Sequence, residues 1–105
     1  MKEITPQELK NKIDSKEDFQ LIDVREPYEY EVVNLGGELI PVGSVLSEVE
    51  KISREKNVIL YCRSGSRSGA IIRELEMRHG FDNLYNLKGG LLAYAKEVDN
   101  SLPVY

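Results

Sequence analysis

The sequence predicts an α/β domain with a central, mostly parallel sheet and helices on both faces. Short apolar runs typical of strands alternate along the chain with segments of helical apolar spacing, and this order favours a parallel sheet. Residues 19–24 and 58–61 are almost continuously apolar, as in strands that are covered on both faces. We therefore expect a three-layer fold with about five strands.

The strongest strand prediction is 58–61, with the sequence Val-Ile-Leu-Tyr. The run at 19–24 is interrupted by Asp23, which we interpret as a buried carboxylate that anchors a neighbouring backbone or arginine. The remaining strand predictions are a short edge strand at Ile4, a short strand at 39–42 that Pro41 ends, and a last strand at Leu84–Leu87.

The first helix is predicted to begin after Thr5. Thr5 can cap the helix, Pro6 suits its first position, and Glu8 completes a capping box. Leu9 and Ile13 lie four residues apart and provide one apolar face.

Further helical segments follow each later strand. They are a brief turn opened by Pro27, a helix at 44–52, a helix at 68–78 with Gly80 as a left-handed cap, and a final helix after the Gly89-Gly90 turn. We expect His79 to end the third of these helices and Tyr28 and Tyr30 to be packing or rim residues.

Bulk properties describe one domain over residues 1–105. The net charge of -4 argues against a nucleic-acid surface, and no apolar run approaches the about 20 residues of a membrane span. One cysteine and one histidine, far apart, predict neither an internal disulfide nor a metal site. The start of the chain shows no signal peptide, which together with the lone cysteine indicates a cytoplasmic protein.

The only cysteine opens the segment Cys62-Arg63-Ser64-Gly65-Ser66-Arg67, between the strongest strand and a helix. Ligands of parallel sheets bind beyond the carboxyl ends of strands, which is where Cys62 lies. Amides of the first helical turn and the helix dipole lower a thiol pKa below its ordinary value. We therefore expect a nucleophilic thiolate in a loop whose N–H groups and arginines also hold an anionic group.

This loop resembles the active-site loop of the rhodanese (sulfurtransferase) family. Residues 21–30, Leu-Ile-Asp-Val-Arg-Glu-Pro-Tyr-Glu-Tyr, are similar to the family's first motif, and residues 86–91, Asn-Leu-Lys-Gly-Gly-Leu, resemble its closing segment. The three segments occur in the family's order, and the resemblance covers essentially the whole chain. It implies the rhodanese-like three-layer fold.

The resemblance also implies a reaction. Cys62 takes a sulfane sulfur from a donor such as thiosulfate, becomes a persulfide, and passes the sulfur to cyanide or a thiol, without a cofactor or a metal. The backbone amides of residues 63–67 would stabilise the persulfide, Arg63 would help to bind the donor, and Arg67 would brace the loop by pairing with an acidic residue. Ser64, Gly65 and Ser66 complete this predicted substrate-binding set.

Three other functions remain open at this point. A persulfide carrier would use the same cysteine to deliver sulfur to a partner protein. A phosphatase or arsenate reductase of the same fold has a loop one residue longer, whereas four residues separate Cys62 from Arg67 here. A rhodanese-like interaction domain usually lacks the cysteine.

The chain departs from the family pattern at residues 33–41. Many members carry a Gly-His-Ile-type segment there, whereas this chain reads Val-Asn-Leu-Gly-Gly-Glu-Leu-Ile-Pro, of which the Ile-Pro end matches well. The resemblance therefore predicts neither the backbone of this segment nor a contact between it and an acceptor.

Overall fold

Five parallel strands form the central sheet of the computed structural model, which describes residues 1–104. In chain order they are β1 (Lys2–Ile4), β2 (Gln20–Asp23), β3 (Glu38–Leu39), β4 (Val58–Tyr61) and β5 (Leu84–Leu87). Their spatial order is β1-β5-β4-β2-β3, so β4 is the central strand and β1 lies at an edge. The predicted parallel sheet and the edge strand at Ile4 are confirmed.

In the described part of the chain, four α-helices connect or follow these strands: α1 (Pro6–Asp14), α2 (Pro27–Val32), α3 (Ser66–His79) and α4 (Gly90–Glu97). The predicted capping box of α1 is present, since the Thr5 side chain accepts from the Glu8 N–H and the Glu8 carboxylate accepts from the Thr5 N–H. Gly80 ends α3 in the left-handed conformation, as predicted. Within residues 1–104, none of the helices is long and apolar enough to cross a membrane.

The two faces of β4 belong to two separate hydrophobic cores. Val58, Leu60 and Cys62 lie in one core, whereas Ile59 and Tyr61 lie in the other. This division follows from the alternation of side chains along a strand. The first core also holds Ile71, Ile72 and Leu75 of α3, and the second holds Leu9 of α1 together with Leu91 and Tyr94 of α4. Helices therefore cover both faces of the sheet, which confirms the three-layer prediction.

The segment predicted as a helix at 44–52 is instead two 3₁₀-helices, Val42–Ser47 and Val49–Lys51. Its backbone bonds join residues three apart, as from the Glu48 N–H to the Val45 carbonyl at 3.0 Å. The Ser47 hydroxyl donates to the Ser44 carbonyl, and serine side chains that bond the nearby backbone disfavour a continuous α-helix. The predicted helical character of this segment is confirmed, but the segment is 3₁₀-helical and is interrupted at Glu48.

The third strand is also displaced from its predicted position at 39–42. It comprises Glu38 and Leu39, which pair with the end of β2. Beyond it the Ile40 N–H donates to the Asp23 carbonyl and the Val42 N–H donates to the Val24 carbonyl, both at 2.9 Å. The chain therefore stays bonded to the end of β2 on both sides of Pro41, which has no N–H to donate. Upstream, Gly36 turns the chain with a φ of 83°.

Candidate active site

Cys62 directly follows the central strand, at the carboxyl edge of the sheet. It is free and buried, with 1% of its surface exposed, and it packs on the α3 side. The strand before it is completely buried, which makes its end a rigid support for the thiol. The site that the sequence predicted therefore lies at the middle of the carboxyl edge.

Backbone N–H groups converge on the Cys62 sulfur. The Gly65 N–H donates to Sγ at an N to S distance of 3.1 Å, and the Ser68 N–H donates at 3.5 Å. Gly65 has a φ of 99°, in the left-handed region, and is the N-cap residue of α3. This conformation lets the loop curl around the sulfur, and a residue with a Cβ adopts it only with strain.

Burial opposes ionisation of the Cys62 thiol and is the largest influence on its pKa. Hydrogen bonds from the Ser68 hydroxyl and from the N–H groups of Ser68, Gly65 and Ser64 together outweigh burial and place the pKa below the ordinary value of 9.0. Hydrogen bonds that favour the charged form lower a pKa in this way. The sulfur is thus prepared to carry negative charge, as the loop pattern predicted.

The N-terminus of α4 donates backbone hydrogen bonds to the cysteine loop. The Leu91 N–H donates to the Cys62 carbonyl at 2.9 Å, and the Leu92 N–H donates to the Arg63 carbonyl at 3.0 Å. Gly90 allows this close approach, because a Cβ there would lie 2.5 Å from the Arg63 oxygen. The predicted Gly89-Gly90 turn therefore positions α4 against the loop.

Arg67 pairs with Glu29 through two hydrogen bonds. The Nη1 to Oε2 distance is 2.8 Å and the Nη2 to Oε1 distance is 3.0 Å. Hydrogen bonding to Arg67 is the largest influence on Glu29, whose pKa falls from 4.5 to about 2. The predicted acidic partner of Arg67 is thus present, and its identity as Glu29 was not predicted.

Asp23 and Arg25 form a buried ion pair at the end of β2. The Arg25 Nη2 lies 2.7 Å from the Asp23 Oδ2, and the Asp23 Oδ1 also accepts from the Arg25 backbone N–H at 2.9 Å. The same guanidinium donates to the Val33 carbonyl. Asp23 therefore has the anchoring role that its place in an apolar strand predicted.

Two polar residues of the site, Ser68 and Asn86, were not recognised from the sequence. The Ser68 hydroxyl lies 3.4 Å from the Cys62 Sγ and donates to the Asn86 Oδ1 at 2.6 Å, while the Asn86 Nδ2 donates to the Gly65 carbonyl at 3.1 Å. Both residues are buried. A signal existed, since each is a polar residue in a series of buried apolar positions, Ser68 on the stripe of α3 and Asn86 in β5.

The remaining loop residues lie farther out. The hydroxyl of Ser64 donates to the hydroxyl of Ser66 at 3.3 Å, and both residues are exposed. Arg63 is half-buried and lines a cavity of about 80 Å³, which Tyr28 and Val104 also line. The predicted residues are thus close in space, but it is the backbone of Ser64, not its side chain, that favours the thiolate.

A larger cavity, of about 570 Å³, lies away from the loop. It is open and is lined by lysines and glutamates of residues 12–17 and 50–56, among others, and no residue of the Cys62 loop reaches it. Because ligands of parallel sheets bind at the carboxyl edge and the larger cavity lies away from the Cys62 loop, the smaller cavity is the one relevant to Cys62. Within residues 1–104, no three His, Cys, Asp or Glu side chains are grouped to hold a metal ion.

The segment 33–41 packs beside the site without the family's pattern. The Leu35 N–H donates to the Tyr61 hydroxyl at 3.1 Å, and the Asn34 Nδ2 donates to the Tyr30 carbonyl at 3.0 Å. The Tyr30 hydroxyl donates to the Gly37 carbonyl at 2.8 Å. Tyr30 is thus a packing residue, whereas Tyr28 is 70% exposed at the rim.

Residues 5–97 match the model of the rhodanese-like domain. A protein named sulfurtransferase from Allochromatium vinosum is 32% identical over an alignment of 108 positions, which covers 97% of this chain and 92% of that protein. The probable adenylyltransferase/sulfurtransferase MoeZ of Mycobacterium tuberculosis is 34% identical over 97% of this chain, and the match spans 26% of MoeZ. The putative sulfur carrier protein YrkF of Bacillus subtilis is 32% identical over 85% of this chain and 48% of its own length.

Solved structures show the same architecture. A rhodanese-like domain protein from Staphylococcus aureus has a TM-score of 0.81 and 30% sequence identity, over 93% of this chain and 95% of that one. SSP1007 from Staphylococcus saprophyticus has a TM-score of 0.81 and 28% identity, over 93% and 97% of the two chains.

Proposed function

This chain belongs to the rhodanese-like domain family, and from that membership we propose that it transfers sulfane sulfur through a persulfide on Cys62. The observation that carries the proposal is the convergence of the Gly65 and Ser68 N–H groups on the Cys62 sulfur. Such a cradle stabilises an anionic sulfur and leaves the thiolate ready for attack. The names of the Allochromatium and mycobacterial relatives support the same chemistry.

The proposed reaction has two displacements. In the first, the Cys62 thiolate attacks the outer sulfur of thiosulfate; a new S–S bond forms, the donor's S–S bond breaks, and its electron pair leaves with sulfite. In the second, cyanide or a thiolate attacks the outer sulfur of the persulfide, and the electron pair of the broken bond returns to the Cys62 sulfur. Covalent catalysis of this kind predicts ping-pong kinetics.

We assign the remaining loop residues to substrate binding. The N–H groups of the loop hold the negative charge of the persulfide and of the anionic donor, as in an anion nest. Arg63 lines the small cavity beside the loop and would help to bind the donor. Arg67, held by Glu29, braces the loop, and Ser64, Gly65 and Ser66 shape its path.

A persulfide carrier is the second candidate. The relative YrkF is named a putative sulfur carrier protein, and the cavity beside Arg63 is small, at about 80 Å³. In this alternative Cys62 is loaded in the same way, and the acceptor is a partner protein that brings its own thiolate to the persulfide. The two candidates share the first displacement and differ in the second.

The test is intact mass spectrometry after incubation with thiosulfate, with Cys62→Ser as the control. We expect the mass of one sulfur atom on the parent protein and none on the variant, together with release of sulfite. Failure to load sulfur from any sulfane donor contradicts both candidates. If sulfur loading fails and Cys62 also reacts no faster than a free thiol, the result favours a non-catalytic interaction domain.

Thiocyanate formation from thiosulfate and cyanide then separates the candidates. Multiple turnovers support the sulfurtransferase, whereas stable loading with slow turnover on small acceptors supports the carrier. Hydrolysis of an aryl phosphate that is lost in Cys62→Ser would contradict both and favour a phosphatase.

A further inference from the structure

The Ser68 hydroxyl has one hydrogen and two acceptors. The Asn86 Oδ1 lies 2.6 Å from the Ser68 Oγ, and the Cys62 Sγ lies 3.4 Å from it. A serine hydroxyl donates a single hydrogen bond, so the two acceptors compete for it. The shorter distance assigns the hydrogen to Asn86 while Cys62 is a neutral thiol, whose own S–H is then free to donate to the Ser68 Oγ.

The amide of Asn86 is held in one orientation. Its Nδ2 donates to the Gly65 carbonyl at 3.1 Å, so its Oδ1 must face Ser68. Asn86 is 4% exposed and Ser68 is fully buried, and a buried acceptor that loses its donor is destabilising. Turning the Ser68 hydroxyl towards Cys62 therefore carries a penalty that Asn86 imposes.

Gly69 makes room for this amide. It lies within α3, where glycine is less favourable than alanine, and a Cβ on it would come within 3.3 Å of the Asn86 Nδ2. Asn86 is likewise the polar member of the strand Leu84–Leu87. A glycine inside α3 and an asparagine inside β5, each unfavourable for its own element, thus bring Asn86 and Ser68 together.

We propose that Asn86 is a positioning residue that sets the reactivity of Cys62 through the Ser68 hydroxyl. The hydroxyl points to Asn86 when the sulfur is neutral and turns to the sulfur when it is a thiolate. By competing for this hydrogen, Asn86 keeps the thiolate less stabilised and more nucleophilic than the loop alone would make it, since nucleophilicity falls as the thiol pKa falls.

If Cys62 carries a persulfide, as the proposed function requires, the Ser68 hydroxyl also changes its hydrogen-bond acceptor during the reaction. In a persulfide the inner sulfur of Cys62 is neutral and the charge lies on the outer sulfur, so the hydroxyl returns to Asn86. When the outer sulfur departs, Cys62 leaves as a thiolate and the hydroxyl turns back. One hydroxyl thus changes partner in each displacement.

Charged groups near the sulfur do not change in this test. They are Arg67 of α3 with its partner Glu29 of α2, Arg63 in the loop, and the Asp23–Arg25 pair at the end of the neighbouring strand β2. The interaction of Arg67 with Cys62 contributes to the raised pKa of Arg67, after its bond to Glu29. A shift seen on changing Asn86 or Ser68 alone is therefore assignable to hydrogen bonding.

The experiment measures the pKa of Cys62 from the pH dependence of its alkylation rate in four proteins: the parent, Asn86→Leu, Ser68→Ala and the double variant. We expect Asn86→Leu to lower the pKa by about one unit, because the freed hydroxyl bonds the thiolate. Ser68→Ala should raise it. In the Ser68→Ala background the change at Asn86 should have no lowering effect, which is the coupling that a double-mutant cycle detects.

A purely structural role for Asn86 gives a different result. Loss of its bond to the Gly65 carbonyl would loosen the loop and raise the pKa of Cys62, with or without Ser68, and that outcome overturns the proposal. Equal lowering in both backgrounds overturns it as well. Asn86→Val, with a β-branched side chain suited to a strand, removes the same amide if the leucine variant does not fold.

The parent protein provides a measurement without any change at Asn86. The side-chain amide resonances of Asn86 should titrate with the midpoint of Cys62, and this response should be lost in Ser68→Ala. Asn86 resonances that do not shift when Cys62 titrates, or that shift equally in Ser68→Ala, contradict the proposal. None of these measurements uses a sulfur donor, so failure of sulfur loading and failure of this proposal are distinguishable.

Discussion

Arg67 and Glu29 face each other in a two-bond ion pair that ties the start of α3 to α2. Glu29 also accepts from the Glu26 N–H at 2.9 Å, so one carboxylate both closes the first turn of α2 and fixes the end of the cysteine loop. None of the residues of α2, from Pro27 to Val32, is fully buried. The position of this helix therefore depends on polar contacts more than on packing.

Glu29→Gln should reduce stability in a pH-dependent way. The pKa of Glu29 is depressed from 4.5 to about 2, so its contribution is complete above 4.5 and is lost as the pH falls towards 2. Because Arg67 is partly exposed, we expect a loss of only about 1 kcal/mol at neutral pH. Urea unfolding across this pH range measures it, and the parent and variant should converge in acid. A gap that persists at the lowest pH would contradict the ion-pair explanation.

Ionisation of Cys62 should make the folded state more stable in mild alkali. Its pKa in the folded chain lies below the ordinary value of 9.0. A depressed pKa contributes stability that is present above the unfolded value and is lost as the pH falls through the folded one. The free energy of unfolding of the parent should therefore rise with pH towards 9.0 relative to Cys62→Ser. Parallel curves for the two proteins would show that the loop does not favour the thiolate.

Asp23→Ala should be strongly destabilising. The change leaves the Arg25 guanidinium, which is 3% exposed, without its carboxylate. Removing one partner of a buried pair costs about 3–5 kcal/mol. The midpoint of urea unfolding measures the loss. Asp14→Ala is the matched control, since it breaks an exposed pair with Lys10 and should cost about 0.5 kcal/mol or less. Similar losses in the two variants would show that the Asp23–Arg25 pair is not anchoring the strand end.

Gly90→Ala should disturb both stability and the cysteine loop. The new Cβ would lie 2.5 Å from the Arg63 oxygen and 2.7 Å from the Cys62 oxygen, so α4 or the loop must move. Gly36→Ala provides the comparison, because Gly36 also has a positive φ but nothing lies within 4 Å of its added Cβ. Left-handed strain alone costs roughly 1–2 kcal/mol and should be common to both.

Only Gly90→Ala should also change the alkylation rate of Cys62. Thermal unfolding and alkylation of the two variants, side by side, separate strain from displacement of the loop. An unchanged alkylation rate in Gly90→Ala would show that α4 does not control the loop.

The sequence predicted the elements whose physical causes are local. Val58–Tyr61 and Leu84–Leu87 were predicted with their observed bounds, since each is a short apolar run between polar turns. The 3₁₀ character of residues 42–51 was not predicted, because the valine and isoleucine spacing is that of an α-helix, whereas the backbone bonds of this segment join residues three apart.

The same distinction applies to the site. Cys62 and its loop were recognised from contiguous residues, and the anchoring role of Asp23 followed from a carboxylate in an apolar strand. The partners Glu29 and Asn86 come from distant parts of the chain, and only the fold brings them to Arg67 and Ser68. A side chain's partner across that distance depends on topology and register, which residue patterns do not specify.

The bonds from α4 to the loop impose an order on the maturation of the protein. The carbonyls of Cys62 and Arg63 obtain their donors from Leu91 and Leu92, which are synthesised well after them. Until α4 docks, these carbonyls lack the donors that hold the loop in place. We therefore expect a nascent or truncated chain that ends before Gly90 to expose an ordinary thiol, and the reactive form of Cys62 to arise only after α4 has been made and has docked.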